Sequence, residues 1–259
     1  LSATPTDGLE RCGANLADMS RGWATFFADQ QAQWPKHFKK MRRVYRNVDR
    51  DYAGAHFEWD DKSDASFERI MRLKREQYAR TGYYDVLNAP WTQALFDRLR
   101  HFQGPRLRTR LSSLSFGGQL AAAEFNLQSD TLLHGWITAF DQAYAKYSPG
   151  NMLVQEVLSR MCENGLFLYD AGPGLDHYKR HYTNMQLPVE SGVLSGSTSS
   201  LNPARVVGQA WRLGEQLMPQ KASALMARAR RRMDQIASVD TSLTGRASGL
   251  ISALQNRPV

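Results

Sequence analysis

The turn Tyr147-Ser148-Pro149-Gly150 stands between an apolar strand and an amphipathic helix, and a short strand follows that helix. No other stretch restricts the fold as much. A helix that starts at a glycine-containing turn presents backbone N–H groups without intrahelical acceptors, together with the positive end of its dipole. Such an end holds a phosphate. With strands on both sides, the turn belongs at a sheet edge or at a split within a sheet. Gly150, Asn151 and Met152 are the expected amide donors, with the Ser148 hydroxyl as a helper. An ordinary helix start after a Pro-Gly turn is the competing reading of the same residues.

Hydrophobic periodicity supplies the surroundings. Residues 1–19 read as a loose lead-in containing Pro5 and Gly8. From Ser20, Trp23, Phe26, Phe27 and Trp34 recur near helical spacing, followed by Phe38, Met41 and Tyr45. Pro35 kinks or restarts this helix. The period shortens at Ala53, Ala55, Phe57 and Trp59, which predicts a strand. Ser63 to Arg80 is a helix that Ser63 or Asp64 can cap and Gly82 ends. A further helix runs from about Ala89 to Phe102, with Pro90 in its first turn. Strands follow over Leu107 to Phe116, Gln119 to Leu127 and Thr131 to Phe140, with turns at Gly117-Gly118 and Ser129-Asp130. After the Gly150 turn come a helix over Asn151 to Asn164, a strand over Leu166 to Asp170, a short helix over Leu175 to Tyr182 and a strand near Met185 to Val189. Beyond Gly192 the composition shifts to Ser, Gly, Thr and Pro, and from Pro203 the tail is Ala- and Arg-rich and reads as helical.

Charge narrows the partners without choosing one. The chain has 259 residues and a formal charge of +8. Lys36, Lys39, Lys40, Arg42, Arg43, Arg46 and Arg50 crowd one helix, and Arg228, Arg230, Arg231 and Arg232 crowd the tail. An anionic glycan or a lipid head group suits the first cluster; nucleic acid is the weaker reading, and the tail reads as a packing or partner helix. Cys12 and Cys162 are no disulfide framework and favour a cytoplasmic setting. No leader is evident at the start, which is Leu1 rather than Met, and no stretch reaches the roughly 20 apolar residues that cross a bilayer.

The element order and the series Phe140-Asp141-Gln142-Ala143-Tyr144-Ala145-Lys146-Tyr147-Ser148-Pro149-Gly150, Asp170-Ala171-Gly172 and Tyr178-Lys179 resemble the CelD/BcsL-like acetyltransferases of bacterial cellulose and exopolysaccharide clusters. The resemblance covers roughly residues 20 to 190. It implies an α+β fold of the GNAT acyl-CoA N-acyltransferase type: a mixed central sheet flanked by helices, with an N-terminal helical arm and a helical C-terminal tail. The expected divisions are an arm over 1–50, a catalytic domain over 51–191, and a linker with tail over 192–259. Members of that family and the related FemAB peptidyltransferases commonly carry two lobes. Only one is countable here, so a second, N-terminal lobe is expected outside this chain. One departure stands out: the common R/Q-x-x-G-x-G/A turn is replaced by Lys146-Tyr147-Ser148-Pro149-Gly150, which has a single glycine and a proline without an N–H.

The resemblance implies acetyl-CoA as cosubstrate, bound by Tyr147, Ser148, Gly150, Asn151, Met152 and Lys179, and a sugar or glycan intermediate as acceptor. It implies Tyr178 as the acid that protonates the leaving thiolate. The residues themselves suggest Glu124 as general base, a carboxylate on an Ala-rich strand on the face of Leu120, Ala122 and Asn126, where desolvation raises its pKa. A partnership with Arg108 or Arg110 is its structural alternative. His134 on the next strand is a base or relay if it shares that face. Asp170 orients substrate or caps the following turn, and Asp141 holds its own turn. The leading function is acetyl transfer to an envelope polysaccharide component, with polysaccharide-synthesis proteins or the inner-membrane surface as further partners. The alternatives are FemAB-like aminoacyl transfer from charged tRNA and a non-catalytic lobe that serves as a partner surface.

Overall fold

The computed structural model describes residues 10–174, 178–191, 210–211, 213–240, 242, 244 and 246. Its strands are β1 (Glu10–Asp18), β2 (Ala55–Glu58), β3 (Arg108–Phe116), β4 (Gln119–Gln128), β5 (Leu132–Phe140), β6 (Leu168–Pro173) and β7 (Met185–Ser191). Its helices are α1 (Trp23–Gln33), α2 (Pro35–Tyr52), α3 (Asp64–Thr81), α4 (Pro90–Leu99), α5 (Pro149–Met161), α6 (Lys179–Tyr182) and α7 (Gln220–Val239). The strands form one seven-stranded sheet in the order β2-β3-β4-β5-β6-β1-β7. Every pairing is antiparallel except β5 with β6, so the sheet is mixed, as expected.

Local chemistry sets the helix boundaries. Ser63 caps α3 by accepting from the Ser66 N–H, and Gly82 ends it in the left-handed region. Trp34 leaves helical geometry between α1 and α2, and Pro35 restarts the chain at the first position of α2. The expected helix at Asn151 begins two residues earlier, at Pro149, and its last turn tightens into a 3-10 turn over Cys162–Asn164. Of the helix expected over 175–182, α6 is the described part; residues 175–177 lie outside the described residues, as does 192–209. Within the tail, α7 docks through the Trp91 Nε1–H bond to the Val239 carbonyl, and Arg230 pairs with Glu215 at 3.0 Å.

Strand alternation divides the core. On β4, Ala122 faces one cluster and Ala123 the other. The first cluster joins α1, α2, α5 and α6 to the sheet through residues such as Phe38, Phe116, Leu153 and Tyr169. The second joins α3 and α4 through Phe67, Ile70, Phe96, Phe125 and Ile137. Burial on this scale outweighs any propensity, at about 1.5–3 kcal/mol for each large apolar side chain.

The expected loose lead-in is corrected by β1. Residues 10–18 pair with β6 on one side and β7 on the other, which makes the start of the described chain an interior strand. Ala14, Leu16, Ala17 and Met19 are buried along it. Gly13, Ala14 and Ala17 give a weak apolar signal, and the strand is held largely by its two backbone ladders. Truncation of Leu16, 5% exposed, tests that role. Leu16→Ala is expected to lower the unfolding free energy by about 2–4 kcal/mol, read as a shifted midpoint in urea denaturation; an unchanged midpoint contradicts an interior β1.

Candidate active site

The sheet splits between β5 and β6. Their register holds only Leu132 with Leu168, Leu133 with Tyr169 and His134 with Asp170. Beyond that pair β5 runs on to Phe140 alongside β4 alone, while β6 continues to Pro173 alongside β1. A bulge marks the divergence: Asn126 pairs with Gly135 and Phe125 with Ile137, which leaves Trp136 extra. Beyond His134 and Asp170, β5 has a backbone edge that no described strand covers, where the Thr138 carbonyl takes Lys74 Nζ of α3 at 3.1 Å, and α5 fills the wedge behind it with Met152, Leu153, Val157 and Leu158. Asp141 shapes the exit from β5. One of its carboxylate oxygens accepts from the Ala143 N–H, and the other takes Arg69 of α3 at 2.5 Å. It holds its turn, as expected.

The helix start is narrower as an anion site than its sequence suggests. Ser148 sits in the left-handed region at φ 49° and makes no side-chain cap. In that conformation its carbonyl accepts from both Asn151 N (3.0 Å) and Met152 N (3.2 Å). Pro149 has no N–H, so of the three expected amides Gly150 alone lacks an acceptor among the described residues. Tyr147 is buried with its hydroxyl on Asp51 at 2.7 Å. Asp51 is held down to about 2, chiefly by its bond to Arg50 and then by Tyr147. Lys179 is buried and donates to the Pro173 carbonyl at 2.7 Å. Asn15, also buried, donates to the Gly172 and Gly174 carbonyls and fixes the loop after β6.

Glu124 lies inside the sheet's α5 face. It is 1% exposed, and its Oε2 accepts from Thr138 Oγ1 at 2.8 Å and Tyr169 OH at 2.9 Å. Its Oε1 is buried with no partner among the described residues. Arg110 is engaged by Asp60 and Gln128, and among the described residues Glu124 makes no pair with an arginine. Desolvation raises the Glu124 pKa, with Thr138 and Tyr169 pulling the other way. The hydroxyl of Tyr169 is pushed well up by burial and by Glu124. Gly135 makes room for this pair: a Cβ there would stand 2.6 Å from Tyr169 OH and 3.1 Å from the Glu124 carboxyl.

His134 and Asp170 occupy the opposite face. Leu133 and Tyr169 turn to the α5 side, so their successors turn away from it. At the last register pair before the split, His134 Nδ1 lies 2.9 Å from Asp170 Oδ2. Asp170 Oδ1 takes the Gly172 N–H at 2.7 Å. The His134 bond, then that amide, holds Asp170 below the usual carboxylate range against a partial desolvation cost. An ionised carboxylate only accepts, so Nδ1 carries the proton and Nε2 is left as the acceptor. His134 does not share Glu124's face, and the expected relay between them is absent. Tyr178 packs half-buried against the α5-side core, close enough to Tyr169 to help raise its pKa.

Sequence reasoning named Glu124, His134, Asp170 and Tyr178 as candidates, of which His134 and Asp170 stand at the last register pair before the split. It missed Thr138, Tyr169, Gly135, Asn15 and Arg69. Tyr169 was legible in principle, since alternation along Tyr169-Asp170 requires one residue on each face.

Comparison with known proteins names the class. A family model described as an acetyltransferase (GNAT) domain matches residues 35–180, more than half of the chain. The chain belongs to that family, and its sheet with flanking helices is the GNAT type of α+β fold. That description names acetyl transfer as the family's chemistry. Among solved structures it is similar to the C-terminal domain (DUF2156) of a putative lysylphosphatidylglycerol synthetase from Agrobacterium fabrum, at 13% identity and TM-score 0.43 over 77% of this chain and 66% of that one. It is also similar to a GCN5-related N-acetyltransferase from Kribbella flavida, at 11% identity and TM-score 0.39 over 70% of this chain and 56% of that one. A conserved protein of unknown function from Bacteroides thetaiotaomicron VPI-5482 matches at 13% identity and TM-score 0.44, over 68% of this chain and 58% of that one. The chain thus spans less than two thirds of the length of each. No curated protein sequence matches it.

Two variants test the buried pair. The raised pKa means that the stability linked to Glu124 is complete below the ordinary glutamate range and is lost as pH rises through the folded value. Glu124→Gln keeps an acceptor and carries no charge. Its melting temperature relative to the parent is expected to climb as pH rises above about 4.5 in a calorimetric series. Gly135→Ala is expected to cost about 1–3 kcal/mol in urea unfolding, because the new methyl displaces Tyr169 OH.

Proposed function

We propose that this protein transfers an acetyl group from acetyl-CoA to an amine or hydroxyl of a sugar intermediate or polymer in bacterial exopolysaccharide or cellulose synthesis, as a CelD/BcsL-like acetyltransferase. The observation that carries the reading is the parting of β5 from β6 immediately after the hydrogen-bonded His134–Asp170 pair. An extended chain with amide groups fits the free edge of β5 as an added strand does. Gly150 N–H and the Ser148 hydroxyl are the groups that would meet a diphosphate at the head of α5. The free Cys12 and Cys162 agree with a cytoplasmic setting.

Each residue has one task. His134 Nε2 takes the proton of the acceptor as its nitrogen or oxygen bonds to the acyl carbon, and Asp170 keeps the imidazole oriented. The bulge at Trp136 lies where the strands part, and a backbone N–H of that stretch would meet the acyl oxygen as it gains charge. Tyr178 gives its proton to sulfur as the carbon–sulfur bond breaks. Glu124 is too enclosed to meet an acceptor. It positions Tyr169, so the base passes to His134. The donor supplies the activated acyl group and the thiolate leaving group.

The spent amides favour a second reading. A donor held at its acyl end alone, such as an aminoacyl ester of tRNA in the FemAB manner, needs no diphosphate cradle. Calorimetric titration separates the two: acetyl-CoA binding without charged-tRNA binding supports acetyl transfer, and the reverse supports aminoacyl transfer. With acetyl-CoA and a sugar amine acceptor, thiol release is expected to fall about 10²–10⁴-fold in kcat for His134→Ala. A smaller loss is expected for Tyr178→Phe, with the Kd for acetyl-CoA held within about threefold of the parent for both. Undiminished turnover in His134→Ala removes the assignment.

A further inference from the structure

A pocket of about 460 Å³ opens on the outer side of the α1–α2–α5 layer, away from the split. Phe27, Phe38, Met41 and Tyr45 line it together with Gln31 and Gln155, and so do Arg42 and Arg46. Phe27 is fixed there by stacking on Trp23 at 4.6 Å and meeting Phe38 edge-on at 5.2 Å. Arg42 and Arg46 are one helical turn apart, so both guanidinium groups reach the same mouth. Both are exposed, as are Lys36, Lys39, Lys40 and Arg43 on the same helix. None of these six cations pairs with a carboxylate among the described residues. The acidic group beside the pocket, Glu156, accepts from Tyr45 OH at 2.9 Å. An apolar hollow ringed by unpaired guanidinium groups suits an amphiphile with a negative head. It serves a flexible polyanion poorly, since that needs no hollow.

We infer that α2 seats the protein on an anionic phospholipid surface, with an acyl chain entering the Phe27–Phe38–Met41 pocket and a lipid phosphate held between Arg42 and Arg46. Among the described residues no helix is long and apolar enough to cross a membrane, so attachment of this kind is peripheral. The lysines and Arg43 add attraction at the surface that salt screens over about 10 Å at 0.1 M. This inference is independent of the acyl donor. It rests on a surface that none of the proposed chemistry uses.

The test is co-sedimentation of the full chain with vesicles of phosphatidylcholine alone or with about one third phosphatidylglycerol. Binding is expected only to the anionic vesicles and is expected to weaken as salt rises. Arg42→Glu with Arg46→Glu should reduce it at least about tenfold, while circular dichroism and acyl-donor titration stay unchanged. Gln31→Trp, which fills the pocket and leaves every cation in place, should reduce it about three- to tenfold. Equal binding to both vesicle types, or none, overturns the inference. So does full binding by Gln31→Trp, or parallel loss of vesicle and RNA binding in the arginine variant with no effect of Gln31→Trp; either marks a general polyanion surface.

Discussion

The one-sided hydrogen bonding of β5 is the constraint on which the site depends. A backbone N–H or C=O removed from water without a partner costs roughly 1–3 kcal/mol. Most of this sheet avoids that cost by continuous pairing, and β1 completes the run by bonding both β6 and β7. After His134 and Asp170 the pairing stops on one side of β5. What forces the strands apart is the chain between them. It leaves β5 through a turn pinned by Asp141 and Arg69, forms α5, and returns to β6 only after Gly165. The thirteen-residue α5 carries Met152, Leu153, Val154, Val157, Leu158 and Met161 into the core, so it cannot lift away to let the strands close. The edge that results is a feature of the folded state, uncovered by any described strand and met at the Thr138 carbonyl by Lys74.

Two carboxylates flank this gap and the sheet gives them opposite properties. Glu124 shares its face with Tyr169 and Thr138 and is closed off by α5, so burial favours its protonated form. Asp170, one residue from Tyr169, points the other way, where a histidine and a backbone amide favour its charged form. Gly135 allows both arrangements. It has no side chain on the face where Tyr169 meets Glu124, and its predecessor presents His134 to Asp170. The carboxyl whose neutral form is favoured lies in the wall, and the one whose charged form is favoured holds the histidine. Environment, rather than residue type, assigns the two roles.

How far the sequence could be read follows from these contacts. Helix starts and stops at Ser63, Gly82, Pro35 and Gly165 were legible because each depends on its own few residues. The strand order beyond β2 was legible from period and turn chemistry. β1 was not, because Gly13, Ala14 and Ala17 offer little apolar area and its support is two neighbouring strands far along the chain. Faces were legible only up to a bulge. Simple alternation puts His134, Trp136 and Thr138 together, yet the extra residue at Trp136 moves Thr138 to Glu124's side. A second bulge, at Ala121, sends Leu120 to the α3 side although counting from Glu124 gives the other. Two of the three amides expected at the head of α5 are spent within the turn for a similar reason. The left-handed Ser148 aims its carbonyl back into the turn, and nothing in the residue types announces that.

The basic helix joins these pieces. Its inner side, Phe38, Met41, Val44 and Val48, is part of the core under α5. Its last turn places Asp51 on Tyr147, the residue before Ser148. Near its start, His37 stacks on His181 of α6 at 3.9 Å, with its Nε2 3.1 Å from Tyr182 OH. Burial pushes His37 down to about 4, so its ring stays uncharged in neutral solution. One helix therefore touches both chain segments that border the split, the turn into α5 and the turn after β6. A cut at residue 50 would strip apolar cover from α5 and release Tyr147 and Tyr182 together. Such a helix works as a beam across the back of the site. It fixes the distance between the two lips of the gap while its outward face stays free to meet a charged surface.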